Sequence, residues 1–320
     1  MKHLLVSIFI FLFLPISVTY AQIGTSITEP GISIKTTPAY PEPNTSFTSS
    51  LDDYSSIDRV TNITWRVDGE VLTEAANLRT INLRSKDGGQ PTIIEAVVTF
   101  STGRTQIIKQ TVTPRYLDII VEAQTKTPYF YLGRSVPSVG SAVNLTAVLS
   151  NSAVDSNNLL YTWRMNNTVI GGGAQRGKNK TSITTPPGSE FLIGLEVSTL
   201  TGEILARRTV SIPSVSPSLH FYEKSSLYGL SNRSVTSLNL TGDSVTMQAE
   251  PFNLDIETYN NPDLVEWKIN NVVVQNPNTN PYEITLTAEN QTFSASTIDF
   301  HVRDLNSLLQ GVRGQFKLNF

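Results

Sequence analysis

The chain contains no cysteine and three histidines, and it has no basic excess, since 24 Lys and Arg stand against 27 Asp and Glu for a net charge of −3. The lack of cysteine excludes disulfides, thiol catalysis, cysteine zinc sites and iron–sulfur clusters. Without a basic excess the chain has no surplus of positive charge to neutralise phosphates, so we expect no nucleic-acid partner. Because disulfides are excluded, each folded unit must be stabilised by core burial alone, which about 100 residues can supply.

Long apolar runs are also scarce, and the one that exists lies at the N-terminus. A short charged start precedes an apolar segment over residues 4–18, and Thr19 and Ala21 provide the small residues of a cleavage site. We predict a signal peptide over residues 1–21. An uncleaved anchor is the alternative, but about 15 apolar residues are short for a membrane span. We expect a secreted, extracellular or cell-envelope protein with no membrane span after cleavage.

What the chain does contain is one short pattern three times. It reads "ITWRVDGEV" at 63–71, "YTWRMNNTV" at 161–169 and "VEWKINNVV" at 265–273. The three copies hold the only tryptophans, Trp65, Trp163 and Trp267. Their spacing of roughly 100 residues is too long for a solenoid repeat and fits one whole domain. We expect the tryptophans to fill three structural cores.

The surroundings of each tryptophan predict β-structure. An alternating strand precedes it, and an Asp/Asn/Gly pair typical of a two-residue hairpin turn follows it: Asp68-Gly69, Asn166-Asn167 and Asn270-Asn271. A second hairpin closes each unit, and no segment has a sustained 3.6-residue apolar period. The sequence therefore predicts an all-β chain of three tandem β-sandwiches.

The domain limits follow from the repeat. We predict domains over 22–115, 116–214 and 215–320, joined by the short proline-containing links "TPRY" (113–116) and "PSVSP" (213–217). Three sandwiches end to end would make a stiff rod on the order of 100 Å.

These residues resemble a known family. The tryptophan on a third strand, the alternating strand before it and the closing hairpin look like immunoglobulin-like domains of the polycystic-kidney-disease (PKD) type. Tandem arrays of such domains occur in secreted and surface proteins of bacteria. The segments "TWRVDGEVL … PYFYLGRSVPSVGS … YTWRMNN" also resemble sequences of secreted proteins of candidate-phylum bacteria. This resemblance implies no activity. Only Asp68-Gly69 echoes the Asp-Phe-Gly-Asp-Gly-like turn of typical PKD domains, so the strand topology stays open.

Acidic residues recur in the loop before each tryptophan, where sandwich proteins often hold calcium. They are Asp52, Asp53 and Asp58, then Asp155, then Asp255, Glu257 and Asp263. The offsets from the tryptophan differ, and the second copy has a single carboxylate. We expect solvated loop acids, with a calcium site in the first or third copy as the alternative and no other cofactor.

Catalytic signals are absent from the sequence. His220 and His301 have no obvious partner nearby, and neither H-E-x-x-H nor G-x-S-x-G occurs. The segment "GGAQRGKN" (172–179) resembles a phosphate-binding loop, but it lacks the Ser or Thr at Asn179 and a following helix. We predict a glycine-rich loop there and no enzyme, with a secreted hydrolase as a remote alternative.

Aromatic residues cluster early in the second and third domains: Tyr129, Phe130 and Tyr131, then Tyr222 and Tyr228. If exposed, they would stack on sugars or anchor a partner. If buried, they would hold the seam with the preceding domain, which their position after each linker favours.

The function that the sequence favours is a non-enzymatic extracellular or cell-envelope protein. Its sandwiches would act as a rigid spacer and binding module in adhesion or surface assembly, with a protein or glycan at the cell surface as partner. The alternative is an accessory carbohydrate-binding protein that uses the aromatic clusters near 129–131 and 221–228.

Overall fold

A computed structural model describes residues 31–54, 58–150, 154–276, 278–288 and 294–320. These residues form six β-sheets and one short α-helix. None of the helices among them is long and apolar enough to cross a bilayer. The signal peptide predicted over residues 1–21 lies outside the described residues and stays a prediction.

The first sandwich consists of two packed sheets. Its strands are β1 (Ile32–Thr37), β2 (Ser46–Asp53), β3 (Val60–Val67), β4 (Glu70–Val71), β5 (Thr80–Arg84), β6 (Thr92–Phe100) and β7 (Thr105–Val112), with a 3-10 turn at Thr73–Ala75. The sheet orders are β1-β2-β5 and β4-β3-β6-β7. Buried and half-buried side chains alternate along β6, as expected of a strand between a core and an outer face.

The second sandwich repeats this order. Its strands are β8 (Leu117–Ala123), β9 (Ala142–Leu149), β10 (Leu160–Met165), β11 (Thr168–Val169), β12 (Gln175–Arg176), β13 (Lys180–Thr184), β14 (Glu190–Ser198) and β15 (Ile204–Pro213), with a 3-10 turn at Ser156–Asn158. The sheets are β13-β9-β8 and β11-β10-β14-β15, and β12 also pairs with β10.

The third sandwich is the most elaborated. Its elements are β16 (Ser218–Ser225), β17 (Gly229–Val235), β18 (Ser237–Asn239), β19 (Ser244–Phe252), α1 (Ile256–Asn260), β20 (Leu264–Ile269), β21 (Val272–Val274), β22 (Glu283–Thr287), β23 (Ala295–Arg303) and β24 (Gly311–Asn319). The sheets are β17-β16-β19-β22 and β18-β24-β23-β20-β21. The added strands β17 and β18 extend both sheets, and β18 pairs with β24 in parallel.

Each sandwich has its own core, and each core contains one of the tryptophans. In all three, the indole N–H donates to a backbone carbonyl further along the chain: Leu78 at 2.8 Å, Lys178 at 3.0 Å and Pro281 at 3.0 Å. Buried tryptophan needs such a partner for its N–H. The repeated residue therefore fills a core and fixes the segment that carries the carbonyl.

The hairpin turns after the tryptophans share a backbone conformation and a side-chain hydrogen bond. All six turn residues have positive φ, between 47° and 90°, as a type I′ turn requires. The side chain of the first turn residue also accepts a hydrogen bond from the backbone of the neighbouring strand: Asp68 from Ile93, Asn166 from Leu192 and Asn270 from Thr297. This second bond explains why Asp or Asn, not Gly, comes first. The chain is thus an all-β tandem array of three immunoglobulin-like sandwiches.

Candidate binding surfaces at the two seams

The two seams between the sandwiches use corresponding segments. The connection between β1 and β2, residues 38–45, meets β15 of the second sandwich, and we call this contact the first seam. The connection between β8 and β9, residues 124–141, meets the third sandwich around residues 252–256 and 310, and we call this the second seam. In each case the connection between the first two strands lies at the end that faces the following sandwich.

Main-chain hydrogen bonds cross the second seam. Thr125 and Asp255 form an antiparallel bridge. Backbone N–H groups on either side donate across the seam: Lys126 to Leu254 at 2.7 Å, Asn253 to Lys126 at 2.7 Å and Ile256 to Gln124 at 3.0 Å. The second and third sandwiches are therefore joined in the manner of neighbouring strands, and a rotation between them would break these bonds.

Gln310 adds a buried polar contact to the second seam. The residue is only 2% exposed. Its Nε2 donates to Ser138 Oγ at 3.0 Å and to the Val139 carbonyl at 2.7 Å, and its Oε1 accepts from the Asp255 N–H at 2.9 Å. The Asp255 carboxylate in turn accepts from the Ala142 N–H at 3.2 Å. A side chain of the third sandwich thus has its hydrogen bonds completed partly by the second.

The aromatic segment 129–131 lies beside these bonds. The Phe130 ring meets Tyr222 edge-on at 5.2 Å, and the Tyr131 ring meets Phe252 edge-on at 5.8 Å. The prediction that this segment contacts the preceding domain was wrong. It contacts the following sandwich, because the connection between the first two strands lies at the end of the second sandwich that faces away from the preceding one.

The predicted binding aromatics are divided between the seam and the surface. Tyr222 is buried at the second seam, whereas Tyr129 is 80% exposed and Tyr131 is 44% exposed. Tyr228 is also exposed, near the turn between β16 and β17. The structure therefore brings Tyr129, Tyr131 and Tyr222 to one place and leaves Tyr228 apart.

A buried carboxylate lies near the second seam. Glu250 is 4% exposed, and its Oε2 has no hydrogen-bond partner among the described residues. Burial raises the pKa of Glu250, while Lys126, which belongs to the second sandwich, partly offsets the rise. The Lys126 ammonium lies 4.6 Å from the centre of the Tyr259 ring. Burial, and then the Glu250 charge, raise the pKa of Tyr259 to about 12.

The raised pKa of Glu250 gives a pH dependence with a defined sign. A carboxyl whose pKa is higher in the folded state than in the unfolded state contributes stability below its unfolded pKa of about 4.3, and that contribution is lost as the pH rises through the folded pKa. Replacing Glu250 with glutamine should therefore change stability little at pH 3.5 and raise the melting temperature at pH 7. Thermal melts of both proteins from pH 3.5 to pH 8 measure the difference.

The control for this prediction is Glu223→Gln on strand β16, where the side chain is exposed. This change removes a carboxylate that is already exposed to solvent, so the melting temperature should differ little from that of the wild type across the pH range. If the melting temperatures of Glu250→Gln and the wild type differed by the same amount at both ends of the pH range, the assignment of a raised pKa to Glu250 would be contradicted.

The first seam is polar and lacks main-chain bonds within the described part of the chain. Arg208 forms an ion pair with Glu42 across it, and the Arg207 guanidinium lies 5.3 Å from the centre of the Tyr40 ring. Arg207 also pairs with Glu196 at 2.6 Å. A cleft of about 390 Å³ opens between the two sandwiches at this point. Side-chain contacts of this kind leave the first joint less constrained than the second.

The calcium candidates do not converge. Asp53 pairs with Arg79, Asp58 accepts from Ser101 and Thr102, Asp263 accepts from the Leu305 N–H, and Asp155 and Asp255 cap short helical turns. Asp52 accepts from the Tyr54 hydroxyl, and Glu257 from Asn261. No group of three or more His, Asp or Glu that could hold a metal ion occurs in the described ranges. The calcium site stays a prediction without support here.

His220, His301 and the glycine-rich loop are each placed by structural contacts. The His220 ring meets Phe252 edge-on at 5.0 Å, while His301 lies opposite Glu266 in the other sheet of the third sandwich. Burial, and then Arg303 and Arg313, lower the pKa of His301. Residues 171–173 are three glycines with positive φ, and the loop that they begin delivers the carbonyl which Trp163 binds.

Comparisons with known proteins support no closer assignment. No protein-family model and no curated protein matches the chain. Solved structures that are similar include fibronectin(III)-like modules of CbhA from Clostridium thermocellum, at 15% identity and a TM-score of 0.28, covering 57% of this chain and 93% of that one. The central fibronectin-III array of RIM-binding protein matches at 9% identity and a TM-score of 0.30, covering 89% and 95%.

A third structure is SGBP-B of the mixed-linkage glucan utilization locus of Bacteroides ovatus, in complex with a mixed-linkage heptasaccharide. It matches at 14% identity and a TM-score of 0.22, covering 87% of this chain and 63% of that one. These similarities are too low to carry an argument about function. The fold assignment rests on the strand order and cores of the chain itself.

Proposed function

We propose that the chain is a non-enzymatic extracellular or cell-envelope protein whose three sandwiches act as spacer and binding modules in adhesion or surface assembly. The observation that supports this most is the second seam, where main-chain bonds and the buried Gln310 amide tie two sandwiches together. A flexible linker would let modules fold back on each other, whereas a bonded seam keeps a binding surface at a fixed distance. Domains over 22–115, 116–214 and 215–320 are part of this proposal.

The proposed spacer has two different joints. The second and third sandwiches act as one stiff unit, and the first is attached through side-chain contacts around Arg208 and Glu42. This is a more specific arrangement than a uniformly stiff rod. It would let the first sandwich adjust its direction while the other two hold their geometry.

The location in this proposal is tested on intact source cells. Treatment with a protease that cannot cross membranes should digest the protein, and sequencing of its mature N-terminus should begin at Gln22. Protection from the protease together with a chain that begins at Met1 would contradict an extracellular location.

A glycan-binding role for the aromatic segment is the second candidate. Tyr129 and Tyr131 are both exposed, and their rings meet Phe130 and Phe252 edge-on. Replacing Tyr129 with alanine should weaken binding of a neutral oligosaccharide by at least about fivefold, because an aromatic contact is worth about 1 kcal/mol beyond its buried area. Titration calorimetry against a panel of neutral oligosaccharides measures this.

Tyr54→Ala is the matched control, since Tyr54 is similarly exposed but belongs to the first sandwich. It should bind like wild type. A panel without a single ligand, or equal losses for the two variants, would eliminate this candidate while leaving the spacer proposal standing.

A further inference from the structure

The cleft at the first seam has an unusual concentration of guanidinium groups for an acidic chain. Arg115, Arg207 and Arg208 all line it, and Glu42 is the only carboxylate in the lining. The chain as a whole carries a net charge of −3. The positive charge of the cleft is therefore local, and it attracts anions to a place where two sandwiches meet.

The three arginines differ in how far their hydrogen-bonding capacity is used. Arg207 is held by Glu196, and Arg208 by Glu42. Arg115 has no ion pair or side-chain hydrogen bond within the described part of the chain, and its Nε, like that of Arg208, is buried without a partner. A buried donor without a partner is costly, and no side chain among the described residues competes with a ligand for the Arg115 guanidinium.

The geometry points to a carboxylate as the matching group. Guanidinium presents a planar fork of N–H donors that fits a carboxylate in two parallel hydrogen bonds. Glu42 already supplies such a carboxylate to Arg208 from the wall of the cleft. A ligand carboxylate at Arg115 would meet the same kind of donor without a competing acid attached to it.

The remaining walls fit a sugar. Ser46 and Thr209 offer hydroxyls, Tyr40 offers an aromatic ring, and Leu117 and Ala206 form an apolar floor. A volume of about 390 Å³ lies at the lower end of the range of small-ligand sites, about 300–1,000 Å³. That space suits one or two sugar units and is too small for a folded partner.

We propose that the first-seam cleft binds a carboxylate-bearing sugar unit, a hexuronate of an acidic glycan, with Arg115 as its main anchor. This site requires neither the stiff second seam nor the exposed tyrosines. Because the ligand would touch both sandwiches, its binding would also hold the first joint in one orientation.

Titration calorimetry with the full mature chain tests the proposal. The probes are a digalacturonate, its uncharged methyl ester and a sulfated disaccharide. The digalacturonate should bind at least about tenfold more tightly than the ester, since the ester lacks the charge-assisted hydrogen bonds. Its affinity should fall with added salt.

Two variants should move the affinity in opposite directions. Arg115→Gln should weaken digalacturonate binding at least about tenfold, whereas Glu42→Gln should tighten it by removing the negative charge from the cleft lining. Arg233→Gln, an exposed change in the third sandwich, is the charge-matched control and should bind like wild type, as should Tyr129→Ala. Melting curves establish that every variant is folded.

Three results would overturn the proposal: no binding of digalacturonate by the wild-type protein, equal binding of acid and ester, or an Arg115→Gln variant that binds like the control. Tighter binding of the sulfated probe than of digalacturonate would overturn the assignment to a carboxylate.

Discussion

Replacement of Trp65 with alanine is expected to lower the free energy of unfolding of the first sandwich by about 3–5 kcal/mol. The side chain is fully buried, and its indole N–H binds the Leu78 carbonyl at 2.8 Å. Alanine would leave a cavity in the core and would remove the indole donor from the Leu78 carbonyl. The loss should stay within the first sandwich, because the contacts at the first seam are made by side chains.

Trp267→Ala is the matched change in the third sandwich, where the indole is equally enclosed and binds the Pro281 carbonyl. Here the loss should reach the second sandwich as well, because the second seam joins the two through main-chain bonds. Hydrogen exchange measured by mass spectrometry follows each sandwich separately. Loss of protection in all three sandwiches of Trp65→Ala, or a strictly local effect of Trp267→Ala, would contradict this account of the seams.

The second large effect is expected from Gln310→Ala. The change removes three hydrogen bonds at the second seam and leaves the Ser138 hydroxyl, the Val139 carbonyl and the Asp255 N–H without this partner. Each orphaned buried group costs about 1–3 kcal/mol, so we expect a loss of at least about 3 kcal/mol for the three groups together. The second and third sandwiches should then melt in separate steps.

Differential scanning calorimetry compares the variant with Gln315→Ala, in which an exposed glutamine of the same sandwich is removed. The control should melt like wild type. A Gln310→Ala protein whose second and third sandwiches still melt together, at the wild-type temperature, would show that the seam does not depend on this residue.

The sequence predicted the features that depend on local chemistry. The tryptophans, the two-residue turns and the alternating strands are each specified within about ten residues by burial, by tolerance of positive φ and by strand period. The third sandwich was harder, because strands β17 and β18 occupy edges that the other two copies lack. The Tyr228 region was predicted only as an aromatic cluster, whereas it forms the turn between β16 and β17.

The burial of Tyr222 against the preceding sandwich agrees with the seam predicted for its aromatic cluster. The other seam contacts could not be predicted, because their residues meet only after the sandwiches are placed. Gln310 lies 172 positions from the Ser138 hydroxyl that it binds, and nothing in its local sequence marks it. The same holds for Arg208 and Glu42, which are 166 positions apart. A repeat alignment would have shown that connections 38–45 and 124–141 correspond, but not which end of the sandwich they occupy.

The most direct test of the proposed stiff unit is a pair of distance measurements between spin labels. Because the chain has no cysteine, two engineered cysteines label it cleanly. Exposed Ser182 and Lys317 report across the second seam, and exposed Lys35 and Ser182 report across the first. We predict one narrow distance distribution across the second seam, a broader one across the first, and broadening of the former by Gln310→Ala. A broad distribution across the second seam of the unaltered protein would contradict the proposal that its second and third sandwiches form one stiff unit.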